Sequence, residues 1–330
     1  MTCRFPATMD LDVTKDLHRN VAAHLPVVAR RQVDAMDEFG AAWLAGLDGV
    51  VADLSAQWDF QVREFLSGGT AALVARVVTS AGEARVLKLS IPGLDPKDSQ
   101  TRVLALGQGR GYARLFERDT GRGAILMEAL GPSLSEQGFS ESVRQDIICA
   151  TLRQAWRPAE LEDGFQSGAE KAESLSAFTH GLWRKHGSAC SPAVLARSDA
   201  FAQDRRRAFD PDLAVLCHGD AHQWNTLKDP VAEGFKFVDP EGIFIEPAYD
   251  LSVPMREDSD SLLAGDPAQL GLQRCMRLAT ITGLDPAAIW AWGFMERVST
   301  GLLCLDHQMD EAGDMLRVAE AWADVEPPQL

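Results

Sequence analysis

The stretch LAVLCHGDAHQWNTLKDPVAEGFKFVD, residues 213–239, carries the most informative pattern of the chain. The apolar run LAVLC at its start predicts a buried strand, which leads directly to His218 and Asp220. Asn225 follows five residues after that aspartate, and a second strand-like run, FKFV, ends at Asp239. We therefore expect the two strands to bring three oxygen-bearing side chains, those of Asp220, Asn225 and Asp239, to one place.

The three oxygen-bearing side chains suit one kind of chemistry. Carboxylate and amide oxygens are hard ligands of the kind that Mg²⁺ prefers. Phosphoryl transfer needs one carboxylate to orient a hydroxyl and accept its proton. It also needs an amide and a second carboxylate to hold magnesium against phosphate oxygens. The pattern therefore indicates magnesium-dependent phosphoryl transfer.

A different interpretation of the same stretch rests on His218 and His222, which are spaced like the histidines of the zinc motif HExxH. That motif requires a helix and a glutamate directly after the first histidine. Here Gly219 and Asp220 follow a predicted strand instead, so a metal hydrolase is disfavoured.

Size and charge limit the class of protein. The chain has 330 residues, enough for two lobes or one large domain, and 46% of them are apolar. With 32 basic and 48 acidic residues the net charge is −16. This disfavours a nucleic-acid partner and favours a cationic substrate, although many soluble proteins are acidic for solubility alone.

The composition also bears on compartment and redox state. No stretch reaches the roughly 18 uninterrupted apolar residues of a membrane span, and charges interrupt the N-terminus where a secretory signal needs an apolar centre. We expect a cytoplasmic protein with no membrane partner, either a monomer or a homodimer. The scattered cysteines are expected to be free thiols: Cys3, Cys149, Cys190, Cys217, Cys275 and Cys304.

Residues 1–50 are predicted to be helical. Met36, Phe39, Trp43 and Leu47 recur at three- and four-residue spacing, which predicts one apolar stripe that packs on the following lobe.

The next part of the chain has the period of strands. Three runs, 60–66, 71–78 and 85–89, predict an antiparallel meander. A further run, 123–130, predicts an inner strand, and after Gly131 the spacing of apolar residues becomes helical.

The motif HGDxxxxN at 218–225, followed by a strand that ends at Asp239, resembles the catalytic and metal segments of aminoglycoside phosphotransferases. In these protein-kinase-like enzymes the motif replaces the HRDxxxxN and DFG of protein kinases. The longer match, HGDAHQWN through KFVDPEGIFIEPAYDL, resembles the branch that includes streptomycin kinases and hydroxyurea phosphotransferases, over roughly residues 50–320.

The resemblance implies an α+β, bilobal protein-kinase-like fold. Residues 1–50 would pack on an N-lobe, 51–130, whose antiparallel sheet binds nucleotide. A hinge at about 128–131 would lead to a mainly helical C-lobe, 131–330.

The resemblance also implies an ATP site in the N-lobe. Lys88, on the third predicted strand, would reach the α- and β-phosphates, the alternative being a solvent-facing lysine. The first turn would lie over the nucleotide or be an ordinary hairpin loop; its residues are Ser67, Gly68, Gly69 and Thr70. The hinge would contact adenine through its backbone; its residues are Glu128, Ala129 and Leu130.

The chain departs from the family pattern at the partner of Lys88. The following segment, 96–104, contains no glutamate to orient the lysine. Asp98 and Gln100 are both candidates, one shorter than glutamate and the other uncharged.

Further roles follow from the resemblance. His218 would buttress the catalytic loop rather than transfer protons, and Asp250 in the PAYDL segment would brace the same loop. Substrate contacts are expected from Glu241, which could instead touch the metal, and from Asp306 and Asp310. Ordinary surface charge is the alternative for these three.

The expected function is transfer of the γ-phosphate of Mg–ATP to a hydroxyl of a small, cationic acceptor, with streptomycin-type aminoglycosides favoured. Asp220 would orient the hydroxyl, while Asn225 and Asp239 would hold Mg²⁺. Another hydroxyl metabolite or hydroxyurea remains an alternative acceptor, and a non-catalytic nucleotide-binding protein is an alternative of another class. The sequence leaves the choice between ATP and GTP open.

Overall fold

The computed structural model describes residues 19–67, 69, 71–94, 98–160, 163–187 and 189–329. Gly68 and Thr70 of the predicted nucleotide turn, and Cys3, lie outside these residues. The chain forms two compact units. The first comprises Met1–Gly131 with Asp229–Glu233, and the second comprises Pro132–Lys228 with Gly234–Leu330.

The first unit combines an antiparallel sheet with helices. Its helices are α1 (Val27–Asp34), α2 (Asp37–Gln57) and α3 (Ser99–Gly107). Its strands are β1 (Phe60–Phe65), β2 (Ala72–Thr79), β3 (Ala84–Ser90), β4 (Leu115–Asp119) and β5 (Ala124–Glu128), in the spatial order β1-β2-β3-β5-β4. The predicted meander and the inner position of the strand at 123–130 are therefore confirmed.

Helix α2 packs on the sheet through part of the predicted stripe. Leu47 is buried in the same core as strand residues such as Val62 and Leu87. The prediction was wrong for Phe39, which is 61% exposed. Its neighbour Gly40 takes the inward position instead, because α1 approaches so closely that a Cβ there would lie 2.0 Å from a backbone oxygen of α1.

Helix α2 is also long and apolar enough to cross a bilayer by length and composition. A core helix passes the same test, and the inward face of α2 belongs to the core that it shares with the sheet. A single helix of this kind is a weak indication of a membrane span.

The second unit is mainly helical. Its helices are α4 (Glu141–Ala155), α5 (Gly168–Lys185), α6 (Pro192–Ala208), α7 (Ser252–Arg256), α8 (Ser259–Leu263), α9 (Pro267–Thr282), α10 (Pro286–Asp306) and α11 (Ala312–Trp322). Short strands form a sheet in the order β6-β10-β7 and a hairpin, β8-β9. These strands are β6 (Gln166–Ser167), β7 (Val215–Cys217), β8 (Thr226–Lys228), β9 (Phe235–Phe237) and β10 (Ile243–Ile245).

Helix α10 lies at the centre of this unit and is buried around most of its circumference, as expected for a helix that is apolar on all sides. Asp285 caps its first turn by accepting a hydrogen bond from the Ala287 N–H at 2.9 Å. Gly293 allows α7 to approach, since a Cβ at this position would lie 2.6 Å from the Met255 Cβ. Because of these contacts, polar side chains of α10 lie within the core, where they can contact the candidate active site described below.

The strand predicted at 213–217 is shorter than expected. It begins at Val215, and Leu213 is 70% exposed. The reason is a turn in which the N–H groups of Leu213 and Ala214 both donate to the Asp210 carbonyl.

The cysteines of the described residues are free and buried, as predicted: Cys149, Cys190, Cys217, Cys275 and Cys304.

Candidate active site

Asp250 fixes the backbone of the loop that follows β7. Its carboxylate is fully buried and accepts hydrogen bonds from the backbone N–H groups of His218 at 3.0 Å and Gly219 at 2.7 Å. The indole N–H of Trp156 donates to the same carboxylate at 2.8 Å. Asp250 therefore braces the loop, which agrees with the supporting role predicted for it.

His218 links the ends of the two predicted strands. Its Nδ1 accepts from the Asp220 N–H at 3.0 Å, so its Nε2 carries the proton and donates to the Val238 carbonyl at 2.9 Å. Burial lowers the pKa of His218, which favours this neutral form. Since both ring nitrogens serve the loop, His218 is placed as a buttress, and the zinc-ligand interpretation loses support.

Gly219 is required at its position for two reasons. Its φ is +93°, a conformation that L side chains rarely adopt. A Cβ would also lie 2.8 Å from the Cβ of Glu241. The glycine thus lets the loop pass closely beside the segment that follows β9.

Asp220 is held by two cationic or polar partners. Arg256 Nη2 donates to its Oδ1 at 2.6 Å, and His222 Nε2 lies 3.2 Å from its Oδ2. Burial alone would raise the pKa of Asp220, but Arg256 and then His222 outweigh this and hold that pKa well below its usual range. The side chain is 29% exposed, so an ionised oxygen is available to a ligand.

Arg256 is a site residue that sequence reasoning missed. Its Nη1 also contacts Glu296 Oε2 at 3.3 Å, so one guanidinium joins two carboxylates that come from distant parts of the chain. The sequence offers only a weak signal for it, an arginine shortly after the PAYDL segment.

The end of α7 that carries Arg256 is clamped by two more buried arginines. Arg274 Nη1 donates to the Glu257 carbonyl at 2.6 Å, and Arg297 Nη2 donates to the Met255 carbonyl at 2.8 Å. The backbone on both sides of Arg256 is therefore fixed, and with it the position of the guanidinium.

Asn225 and Asp239 come together at one end of the β8-β9 hairpin. The Val238 N–H donates to the Asn225 carbonyl at 3.0 Å, and Asp239 follows with a left-handed φ of +57°. The Asn225 side-chain N–H donates to the Asp220 carbonyl at 3.1 Å. The structure thus brings Asp220, Asn225 and Asp239 to one locality.

The donor set at this end fits Mg²⁺. Because the amide nitrogen of Asn225 serves the loop, its oxygen is the atom that could ligate, beside the Asp239 carboxylate. Within the described ranges no group of three or more His, Cys, Asp or Glu suits a metal ion. Two hard protein ligands are what Mg²⁺ uses where substrate phosphates complete its coordination.

The acidic candidates for substrate contact lie in different places. Glu241 is beside the catalytic loop, with its N–H donating to the His218 carbonyl at 2.7 Å. Asp306 ends α10, roughly 15 Å along the helix from Glu296 at 1.5 Å per residue, and pairs there with Lys185 at 2.5 Å and His186 at 2.7 Å. Asp310 is exposed in the turn after α10. Their roles toward a substrate remain predictions.

In the first unit, Lys88 is buried in the middle of β3, where it pairs with Val74 and Ile125 of the adjacent strands. Asp98 precedes α3 and Gln100 lies in its first turn, so both alternatives for its partner stay open. Both residues lie at the start of α3, the helix that follows β3.

The described residues of the predicted turn and hinge are also placed. Ser67 and Gly69 are exposed between β1 and β2. Glu128 ends β5, and its carboxylate accepts the Arg114 N–H at 3.0 Å, so Ala129 and Leu130 continue from a fixed strand end. The nucleotide contacts of these residues remain predictions.

Such a sheet, followed by a mainly helical unit that carries a loop of this construction, is typical of protein-kinase-like phosphotransferases. The model of the family described as aminoglycoside/hydroxyurea antibiotic resistance kinase matches residues 57–305, and the chain belongs to this family. It is therefore an enzyme, a phosphotransferase with an alcohol group as acceptor.

Individual relatives agree with the family. The streptomycin 6-kinase of Streptomyces glaucescens is 25% identical over 261 residues, which cover 79% of this chain and 83% of the relative. A hydroxyurea phosphotransferase of Kitasatospora aureofaciens is 27% identical over 255 residues, covering 77% of this chain and 72% of the relative. A solved aminoglycoside phosphotransferase, a thermostable mutant in ternary complex with AMP-PNP and hygromycin B, matches with a TM-score of 0.55 at 15% identity. That match covers 79% of this chain and 92% of the other. The predicted α+β, protein-kinase-like fold is thereby confirmed.

Proposed function

We propose that the protein transfers the γ-phosphate of Mg–ATP to a hydroxyl of a small, cationic acceptor, with a streptomycin-type aminoglycoside favoured. The observation that carries the proposal is the ionised, partly exposed Asp220 joined through its backbone to Asn225. The similarity to streptomycin 6-kinases and the net charge of −16 support the choice of acceptor.

Each site residue has a role in this proposal. Asn225 and Asp239 would hold magnesium, which when bound would neutralise charge on the phosphate oxygens. Asp220 accepts a hydrogen bond from the acceptor hydroxyl and orients it. His218 keeps the loop in place, and Lys88 contacts phosphate oxygens, while the turn at 67–70 and the hinge at 128–130 contact the nucleotide.

Asp220 acts chiefly by positioning. Its carboxylate is stabilised by Arg256, which keeps it ionised and able to accept a hydrogen bond but makes it a weak base. The transition state of phosphoryl transfer is loose, so the hydroxyl needs alignment more than early loss of its proton. The proton passes to an Asp220 oxygen as the new O–P bond forms and the bond between the γ-phosphorus and the β–γ bridging oxygen breaks, so that ADP leaves.

A second candidate acceptor is hydroxyurea, favoured by the 27% identity with a hydroxyurea phosphotransferase. We further propose a cytoplasmic location. A monomer and a homodimer both fit the proposal.

The test is ADP release with Mg–ATP in the presence of streptomycin, other aminoglycosides, hydroxyurea and small amino alcohols. Asp220→Asn is the control, because it removes the ionised oxygen with almost no change in size. We expect acceptor-dependent release that falls about 10²–10⁴-fold in the variant, while nucleotide binding is retained. Wild-type turnover by Asp220→Asn would remove this residue from its role. A protein that binds Mg–ATP but phosphorylates none of these acceptors would favour the non-catalytic alternative.

A further inference from the structure

Lys171 lies where a cation is disfavoured by local structure. It is the fourth residue of α5, close to the positive end of the helix dipole. The preceding Ser167 and Glu170 form a capping box that suits this end, whereas Lys171 opposes it. Its charge must therefore be stabilised by other elements of the fold.

These elements form a cage around the Lys171 ammonium. Nζ lies 3.5 Å from Glu241 Oε2, 3.8 Å from Glu296 Oε1 and 5.4 Å from the centroid of the Tyr249 ring. Two carboxylates and an aromatic face are the groups that bind ammonium ions in proteins. Burial alone would lower the pKa of Lys171, but Glu241 and then Glu296 outweigh it and raise that pKa, so the lysine stays charged. We call Tyr249, Glu241 and Glu296 the ammonium cage.

Two walls of the ammonium cage, Tyr249 and Glu296, are held in place without Lys171. The Tyr249 hydroxyl donates to Glu296 Oε1 at 2.6 Å, and Arg256 binds the other oxygen of Glu296 at 3.3 Å. The rings of Trp292 and Tyr249 pack perpendicular to each other, with 5.0 Å between centroids. These two walls would therefore keep their positions if the lysine were shortened.

The ammonium cage faces the catalytic loop and opens to solvent. Glu241 is 50% exposed, whereas Lys171 is only 16% exposed. Glu241 is tied to the loop through the His218 carbonyl and lies against Gly219, directly before Asp220. A molecule whose hydroxyl reaches Asp220 therefore meets this corner of the site.

We propose that Lys171 fills an ammonium-binding site beside Asp220 with its own side chain and thereby withholds that site from a cationic group of the acceptor. The inference rests on the proposed function, since it concerns the acceptor of that reaction. It implies that the part of the acceptor next to Glu241 is uncharged, and that any cationic group lies elsewhere. Lys171 is thus a residue that determines specificity.

The test removes the lysine side chain from the ammonium cage and supplies a free ammonium ion in solution. Lys171→Ala removes the ammonium, and ethylammonium chloride is a probe that matches the end of the lost side chain. The matched control is Lys185→Ala, which removes a lysine from the other end of the same helix, where Lys185 is 62% exposed and paired with Asp306. The melting temperature of each protein is followed against ethylammonium chloride and against equal concentrations of sodium chloride.

We expect ethylammonium to raise the melting temperature of Lys171→Ala by about 2–4 °C, with saturation, because a ligand that binds only the folded state stabilises it. Wild type and Lys185→Ala should respond alike to the two salts. Equal responses in Lys171→Ala as well would overturn the proposal.

Should Lys171→Ala not fold alone, refolding with either salt gives the same decision. Recovery of folded protein in ethylammonium chloride but not in sodium chloride would support the proposal, and equal recovery in the two salts would refute it. Because the readout is stability, it does not depend on kinase activity. A failure of the proposed function and a failure of the cage are therefore distinguishable.

Discussion

Replacement of Arg256 tests how the site holds Asp220. In Arg256→Met the guanidinium is lost and only an unbranched apolar stem remains, so Asp220 loses its 2.6 Å partner and Glu296 its 3.3 Å partner. Arg256→Lys keeps a positive charge, but its shorter side chain lacks the planar fork of arginine and should hold the two carboxylates less firmly. We expect a graded series, with wild type most active and Arg256→Met least active.

The cost in stability follows from what remains around the two carboxylates. Asp220 keeps His222 at 3.2 Å and some solvent, and Glu296 keeps the Tyr249 hydroxyl at 2.6 Å. We therefore expect the free energy of unfolding to fall by about 2–3 kcal/mol, less than the ~3–5 kcal/mol of a fully buried pair.

The cost in rate has a separate origin. An Asp220 carboxylate released from Arg256 can shift by about 1 Å, which is enough to lower kcat by about 10²-fold. The pKa of Asp220, held low in wild type chiefly by Arg256 against the effect of burial, should also rise. Below that raised pKa the carboxyl is protonated and cannot accept the hydroxyl hydrogen bond, so the acid limb of the kcat profile should move to higher pH.

The assay is steady-state ADP release across the acid range, at a temperature where each variant is folded by circular dichroism. Arg277→Met is the matched control, because it removes a 2.7 Å arginine–aspartate pair, with Asp146, on the surface of the same unit. Unchanged kcat and an unmoved acid limb in folded Arg256→Met would refute the reasoning. An equal loss in Arg277→Met would show that the effect is not specific to the site.

Three further predictions concern the loop, the metal and the thiols. Gly219→Ala should lower the free energy of unfolding by about 1–3 kcal/mol in denaturant titrations, since the φ of +93° and the contact with Glu241 both oppose a Cβ; a change within experimental error would contradict the close approach described. Asn225→Ala should raise the Mg²⁺ concentration needed for half-maximal activity by about tenfold, because one hard ligand is lost, and an unchanged requirement would argue against Asn225 as a ligand. In native protein at mildly alkaline pH, thiols such as Cys149 and Cys275 should react slowly with a disulfide reagent and rapidly after unfolding, because burial raises the pKa of each to about 12; fast reaction of these thiols in the folded protein would contradict their burial.

The catalytic loop could be predicted from sequence because its residues are close together in the chain. The spacing from His218 to Asn225 and the strand that ends at Asp239 specify a compact turn and hairpin, which the structure reproduces. The need for glycine between the histidine and the aspartate also has a simple explanation, namely the backbone conformation at this position and one close contact.

The partners of Asp220 and Glu241 could not be predicted, because they come from other elements. Arg256 is 36 positions from Asp220, and Lys171 and Glu296 lie on α5 and α10. Their charges look like ordinary helix residues in the sequence, and only packing shows that they are buried together. The prediction that Leu213 lies in a buried strand was wrong for the opposite reason, since a local turn at Asp210 overrides the apolar pattern.

The position of Glu296 and Arg297, adjacent on α10, has a consequence for how this protein can change over evolution. Glu296 binds the guanidinium of Arg256, and Arg297 binds the carbonyl of Met255, the residue before Arg256. Neither Glu296 nor Arg297 forms a hydrogen bond with Asp220. A substitution elsewhere in the core that rotates or shifts α10 would move both contacts, and Arg256 with them. Substitutions that disturb the core packing of α10 should therefore also lower turnover. Changes in acceptor preference are easier at exposed positions such as Glu241, because substitutions there leave the packing of the helices intact.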